Sequence, residues 1–331
     1  MTPSNHFFLT RRQLGALAAA ALLAGTGTAG AQTYPSKPVT LMVPTAAGGT
    51  TDIAGRMLAD PLGKALGQPV IVDNRGGASG VIAAVAVKRA EADGHTLLMQ
   101  YSGYHVISPH VTRQKAQWVP EDFRAVANVL SAPQVVVVRE GLPVKNMAEL
   151  IAYAKAHPGK LTYASSGPGS LQHVTGAMLE QQAGIQLTHI PYKGTGPALQ
   201  DLLGAQVDMT FGTPPPFMPF IQSGKLRAVA VTGKTRVASL PTVPTAAEAG
   251  LPNLDATSWF AVFAPAKTPQ PVIDKLTAEI AKVVATPAFQ QKASELGATA
   301  DYMSPQKLAD YSKAEYLRWG KVVEAAKIEG E

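Results

Sequence analysis

The chain has 331 residues, 46% of them hydrophobic and 16% charged, enough apolar material for a large core divided into two lobes and too little charge for a disordered chain. The formal charge is +6, and setting aside Arg11 and Arg12 leaves 27 basic residues against 23 acidic ones; no Lys/Arg run interleaves with aromatics, which argues against nucleic-acid binding. There is no cysteine, so disulfides, thiolate metal sites and cysteine nucleophiles are excluded together.

Thr10-Arg11-Arg12-Gln13-Leu14 precedes an alanine-rich apolar run from Gly15 to Ala24, and small residues follow at Ala29-Gly30-Ala31. This reads as an export signal over residues 1–31, cleaved after Ala31 into the periplasm. The arginine pair fits a twin-arginine route and an ordinary Sec signal equally well. The apolar core is too short for a membrane span and no later stretch reaches ~20 apolar residues, so the mature protein is expected not to be membrane-embedded.

Val39-Thr40-Leu41-Met42-Val43 reads as a strand stopped by Pro44. Next comes Thr45-Ala46-Ala47-Gly48-Gly49-Thr50-Thr51-Asp52, a glycine and hydroxyl turn that opens a helix. Its residue types suit an anion cradle: backbone amides of Ala47, Gly48 and Gly49, hydroxyls of Thr45, Thr50 and Thr51, and the positive end of the helix dipole. The same pattern also serves as a tight strand-to-helix turn. Asp52 suits the dipole but would repel a carboxylate; it either bonds amides of its own loop or receives the amine of an amino-acid ligand.

Ile53, Met57, Leu58, Leu62 and Leu66 recur at helical spacing, with Pro61 expected to kink or split the helix and Gly67 to end it. Val70-Ile71-Val72 is a short strand leading to Asn74-Arg75-Gly76-Gly77-Ala78-Ser79-Gly80, and Val81 to Ala90 a helix packed on a sheet. His95 to Met99 holds a third strand, which places Tyr101-Ser102-Gly103 at the same sheet edge, with Ser102 a candidate contact. This alternation predicts an α/β fold with a mostly parallel sheet and ligands at the carboxyl ends of its strands.

Gln134 to Arg139 is a continuous apolar strand that fits a crossing between lobes, and beyond it the pattern restarts. Asn146 caps a helix ended by Pro158-Gly159. Leu161 to Ala164 is a strand delivering Ser165-Ser166-Gly167-Pro168-Gly169-Ser170 to another helix start, with His173 in its first turn. The repetition suggests two turns, one per lobe, holding one anion from both sides; Ser170 would at the same time cap its helix. Ile185 to Ile190 is a strand, Thr195 is expected to cap a short helix, and Val207 to Gly212 leads to an edge loop at Thr213. Leu226 to Val231 completes this lobe, a proline-punctuated linker follows, and Trp259 to Pro265 returns to the first lobe. Helices over Pro271 to Thr286 and Pro305 to Lys327 finish it.

Several motifs are missing. No phosphate-binding loop or dinucleotide fingerprint occurs, and His105 and His110 are five apart with no His-Glu-x-x-His, so neither cofactor nor metal is expected. Gly-x-Ser-x-Gly is absent; the candidates for an exported serine hydrolase are Ser170 or Ser166 with His173, which more simply cap and line a pocket. Lys193 and Arg75 are candidates for ligand contact but read first as a solvated loop lysine and a loop brace.

Pro44-x-x-x-Gly48-Gly49-x-x-Asp52 after a Tyr34-Pro35-Ser36-Lys37-Pro38 start resembles the substrate-binding proteins of tripartite tricarboxylate transporters, the Bug family. Asn74 to Gly80, with Gly76 and Ser79 departing from the commoner proline and glycine, carries the resemblance further, as do Ser165 to His173, Pro191-Tyr192-Lys193-Gly194 and the 241–252 linker. It implies the type II periplasmic binding protein fold, with lobe 1 formed by 34–133 and 257–331 and lobe 2 by 134–256. It implies a receptor, not an enzyme, that captures a small organic carboxylate or amino acid, acts as a monomer and hands its ligand to membrane transporter subunits. A membrane sensor is the alternative partner. Thr45 stands where the family usually has phenylalanine, which implies a smaller, more polar wall.

Overall fold

A computed structural model describes residues 34–111, 117–326 and 328, so the export signal and its cleavage point lie outside the described residues, as does Lys327. Of the segment Met1–Ser36 only residues 34–36 are described; Lys37–Glu331 form the second unit, to which everything below belongs.

The run Val39–Val43, with β-branched residues at Val39, Thr40 and Val43, forms β1, and the glycine turn leads into α1 (Thr50–Leu66). β2 (Val70–Asn74), α2 (Val81–Lys88) and β3 (Thr96–Tyr101) follow, and β1 pairs with both β2 and β3 in parallel. α1 runs through Pro61 as one helix, so the proline does not split it in two. Pro61 removes only the bond to the Met57 carbonyl, and both residues are partly exposed, so water can take that carbonyl. Gly67, at φ 73°, ends the helix and returns its N–H to the Gly63 carbonyl.

Two short helices, α3 (Ser102–Val106) and α4 (Ser108–Val111), lead towards β4 (Phe123–Pro133), and a single residue, Gln134, separates β4 from β5 (Val135–Arg139). The second half is built from α5 (Met147–Ala156), β6 (Thr162–Ser165), α6 (Leu171–Ala183), β7 (Thr188–Pro191), α7 (Thr195–Leu203), β8 (Met209–Gly212), α8 (Met218–Gln222) and β9 (Leu226–Val231). The chain returns through β10 (Thr257–Pro265) to α9 (Gln270–Ala285), α10 (Pro287–Glu295), β11 (Thr299–Met303) and α11 (Pro305–Ala325).

Two sheets result, ordered β11-β4-β10-β3-β1-β2 and β7-β6-β8-β5-β9. Both are mixed, which corrects the expectation of mostly parallel sheets. β10 runs antiparallel to β3 and β4, and β5 antiparallel to β8 and β9. The reason is the connectivity: the strands that follow the two crossings enter each sheet reversed, while the helix-connected strands stay parallel. The crossings are tied together at Gln134, whose N–H donates to the Ala256 carbonyl (3.1 Å) and to Thr232 Oγ1 (3.0 Å), and whose carbonyl accepts from Thr232 N–H (2.8 Å). Each sheet has its own core, the second packing Val136, Leu150, Tyr163 and Phe211 on one face and Val135, Leu202 and Phe217 on the other. No helix among the described residues is long and apolar enough to cross a membrane.

Candidate functional site

The two glycine turns meet across one gap. A buried cavity there is lined from the first lobe by Thr45, Gly49, Thr50, Thr51, Tyr101, Ser258 and Phe260, from the second by Ser166, Gln172, Thr195 and Thr213, and at the crossing by Gln134. No ionised side chain stands on this wall. Its walls approach closely, leaving a cavity of about 10 Å3, the room of about one water.

Gly49 is the N-cap of α1, with φ −85° and no side chain to cap with, so the first-turn amides of Gly49, Thr50 and Thr51 lack intrahelical acceptors and mark the positive end of the helix. Gly48 is the turn residue with positive φ, 84°. Its N–H donates to Asp52 Oδ2 at 3.0 Å, while Asp52 Oδ1 accepts from Arg56 Nε at 3.0 Å. Asp52 therefore braces its own loop and is neutralised by Arg56. Arg56 continues to Asn74 Oδ1 (3.3 Å), and Asn74 Nδ2 donates to the Thr45 carbonyl (3.1 Å). Replacing Asp52 with Asn removes the ion pair and one acceptor of this brace. We expect about a tenfold loss of ligand affinity, measured by titration calorimetry, because a charge-assisted contact is worth roughly 1.5–3 kcal/mol.

The second turn is occupied differently. Gly167 N–H donates to Ser165 Oγ (3.0 Å), Gly169 N–H to His173 Nδ1 (3.3 Å) and Ser170 N–H to the Gly167 carbonyl (3.1 Å). The expectation that both turns aim their amides into the gap is corrected here: a hydroxyl and an imidazole within reach satisfy the second turn from inside, and it presents the Ser166 hydroxyl instead. Ser170 caps α6 by accepting from His173 N–H (3.3 Å). Behind the turn, His173 stacks on His189 at 4.1 Å and 5°, His189 stacks on Tyr163, and His189 Nε2 bonds Ser165 Oγ at 2.6 Å. Burial pushes the pKa of both histidines down to about 4, with mutual repulsion adding to the effect on His189, so both are neutral near pH 7.

The seam between lobes is dense in hydrogen bonds. Ala46 N–H donates to the Lys193 carbonyl (3.1 Å), Ser79 Oγ to the Pro168 carbonyl (2.7 Å), Tyr104 Oη to the Ser166 carbonyl (2.5 Å) and Ser108 Oγ to the Gly169 carbonyl (3.3 Å); Thr213 Oγ1 meets Thr50 Oγ1 at 2.6 Å. Glycines permit this approach. A Cβ on Gly76 would lie 3.0 Å from the Lys193 carbonyl oxygen, one on Gly103 2.7 Å from Leu171 N, and one on Gly196 would run into the Ala47 carbonyl oxygen.

Of the residues singled out from sequence, Thr45, Gly49, Thr50, Thr51, Ser166 and Thr213 stand on the cavity wall. Ala47 and Gly48 are exposed beside it. Ser165, Gly167, Gly169, Ser170 and His173 stand behind it as the braced turn. Ser102 is buried and accepts from Trp259 N–H at 3.2 Å. Arg75 pairs with Asp73 at 2.9 Å, and Lys193 is exposed and joins the seam through its carbonyl. Thr195, expected as a cap, is the first residue of α7 with Gly194 as N-cap, and its hydroxyl faces the cavity because the helix start abuts the first lobe. Sequence reasoning placed Tyr101 at this edge without naming it a contact, and missed Gln134, Gln172, Ser258 and Phe260. Two buried wall atoms, Thr45 Oγ1 and Gln134 Oε1, have no protein partner.

What this arrangement can do is hold an anion with hydroxyls, amides and a helix end, without a countercharge. A profile described as "Tripartite tricarboxylate transporter family receptor" matches residues 54–328. The chain is similar to the solved structure of the periplasmic binding protein BugD, with 36% identity, 90% of this chain and 100% of that one covered, and a TM-score of 0.86. It is also similar to Rpa4515 of R. palustris with adipate (35% identity, 90% and 100% covered, TM-score 0.87) and to MatC of Rhodopseudomonas palustris with bound malate (33%, 88% and 100%, 0.83).

Proposed function

Since this chain belongs to the tripartite tricarboxylate transporter receptor family, the Bug family, we propose that it is an exported receptor that closes its two lobes on a small organic carboxylate and presents the closed form to transporter subunits in the membrane. The observation that carries this reading is the uncharged, donor-rich cavity at the start of α1. One ligand carboxylate draws its hydrogen bonds from among the amides of Gly49, Thr50 and Thr51 and the hydroxyls of Thr50, Thr51 and Ser166, while Thr213 donates to Thr50 Oγ1 and orients it. Thr45, with an unpartnered hydroxyl, contacts the ligand from the side. Ser165, Gly167, Gly169, Ser170 and His173 hold the Ser166 turn in place, and Asp52 faces away. Lobe 1 comprises residues 34–133 and 257–331, and lobe 2 residues 134–256. Adipate and malate in the two related structures support a carboxylate of a few carbons as ligand. The signal is removed after Ala31, the site of action is the periplasm, and the receptor works as a monomer.

A hydrolytic reading has less support. Ser170 Oγ accepts from the His173 backbone and Ser166 Oγ accepts from Gln172, so neither serine is held by the His173 ring. Ser165 does meet His189, but it is buried and bonded to Gly167 N–H.

The test is thermal shift and calorimetry of the purified protein against mono-, di- and tricarboxylates and amino acids. Stabilisation should approach about 2.7 kcal/mol at ~100 times the dissociation constant. Gly49→Val should abolish it: φ −85° and ψ 167° accept valine, a Cβ there meets Thr195 Cβ at an ordinary 3.5 Å, and the added methyls fill the carboxylate's place. Full affinity in that variant, or ester turnover that disappears in Ser165→Ala, would overturn the reading.

A further inference from the structure

Gln134 is 1% exposed, stands on the cavity wall at the crossing between lobes, and its Oε1 has no partner although its Nε2 donates to Ser258 Oγ at 2.7 Å. That bond is one end of a row of polar groups. The Ser258 hydroxyl neighbours Tyr101 Oη and favours its ionised form, as a donor towards that oxygen does. Tyr101 Oη accepts from Leu171 N–H (3.0 Å) and donates to Gln172 Oε1 (2.8 Å), and Gln172 Nε2 donates to Ser166 Oγ (2.8 Å). Ser166, Gln172, Tyr101, Ser258 and Gln134 all line the cavity, so the row runs from the carboxylate end to the crossing.

Proton counting allows this row two polarities. Each hydroxyl has one proton, and each amide presents an oxygen on one side and an NH2 on the other. Tyr101 gives its proton either to Gln172 or to Ser258, and every other bond then follows. An ionised carboxylate only accepts hydrogen bonds. Bound beside Thr50 and Ser166, it draws the Ser166 proton, so Ser166 must accept from the Gln172 NH2. Gln172 oxygen then accepts from Tyr101, Tyr101 from Ser258, and Ser258 from the Gln134 NH2. Gln134 is left with its oxygen towards the cavity, buried and in need of a donor. Resting on the carboxylate reading above, we propose that this receptor selects carboxylates carrying a hydrogen-bond donor, a hydroxyl or an ammonium, on the carbon chain near Gln134, and that Gln134 is the specificity residue.

An unsubstituted or oxo-substituted acid leaves the buried Gln134 oxygen unpaired, or sets a second oxygen against it. Calorimetry should compare malate with succinate, lactate with pyruvate, and aspartate with succinate; the last pair separates ammonium from hydroxyl as the donor. The donor-bearing member of at least one class should bind tenfold or more tightly in each of its pairs. Gln134→Met should collapse that ratio to within threefold. Tyr101→Phe, which cuts the row while leaving Gln134 in place, should also lower it; this variant keeps the test available if Gln134→Met fails to fold. Succinate and pyruvate binding as tightly as their substituted partners would overturn this inference and leave the receptor reading standing. Failure of every carboxylate to bind would overturn both.

Discussion

Gly196→Ala is expected to weaken carboxylate binding by roughly tenfold to a hundredfold while leaving the ligand-free melting temperature unchanged or slightly raised. Gly196 lies in the first turn of α7, in a helix where alanine is favoured over glycine by up to ~1 kcal/mol. Its Cβ, however, would strike the Ala47 carbonyl oxygen of the cradle turn, with Ala47 C at 3.2 Å. That oxygen belongs to backbone braced through Asp52 and Arg56, so it cannot swing aside as a long side chain would. The collision arises only where the lobes meet, and overpacking of this kind costs about 1–3 kcal/mol, equivalent to the stated loss at 1.4 kcal/mol per decade. Gly49→Ala is the control: its Cβ meets Thr195 at an ordinary contact distance, and its effect should stay below about threefold. Calorimetry gives the affinities and small-angle scattering the degree of closure. An unchanged affinity in Gly196→Ala would mean that binding does not need this seam.

Much of the fold was readable because its elements carry local signals. β1 and β2 end in glycine-rich turns, Asn146 and Ser170 cap their helices as their residue types predict, and β10 is a run of apolar residues after a proline-rich linker. β4, β11 and α10 went unread for physical reasons. β4 lies between β10 and β11 with helices packed on it, and Val126 to Leu130 are buried on successive positions, so no alternation marks it as a strand. Phe289 and Ala293 are the buried residues of α10, too few for a helical stripe, and it starts directly after α9 at the Thr286 cap.

The site divides along the same line. The α1 cradle was legible because glycines, threonines and a helix start coincide in one stretch of sequence. Gln134, Gln172 and Ser258 were not, since each comes from a separate element and only the fold lines them up; Gln134 in particular reads as the polar first residue of an apolar strand. The second turn misled for a related reason. Its composition matches the first, but Ser165 and His173 bond its amides, and the partner that fixes this, His189, sits on β7, well away in sequence.

That histidine pair leads to the expectation that stability and affinity both fall as pH drops from about 6.5 towards 4. Unfolded histidine titrates near 6.5, whereas burial holds His173 and His189 to about 4 and His105, packed among Trp118, Trp259 and Phe263, to about 3. Between these values the unfolded chain binds more protons than the folded one. The stabilisation is therefore complete above about pH 6.5 and is lost progressively below it, levelling off once the folded groups also protonate. Glu180, raised by burial, opposes the trend weakly, and the lowered carboxyl of Asp93 adds to it only at the acid end. For the stacked pair, partial solvent screening limits the loss to about 1–2 kcal/mol at pH 4.5. Binding shares the dependence because His173 Nδ1 accepts the Gly169 N–H. A proton placed there sets donor against donor and loosens the turn that presents Ser166, while two imidazolium rings 4.1 Å apart repel. Urea unfolding from pH 4.5 to 7.5 should show the slope in the wild type and a flatter one in His189→Gln, with ligand affinity following the same order. Stability that stays level or rises on acidification through this range would show that the pair is not held neutral by burial.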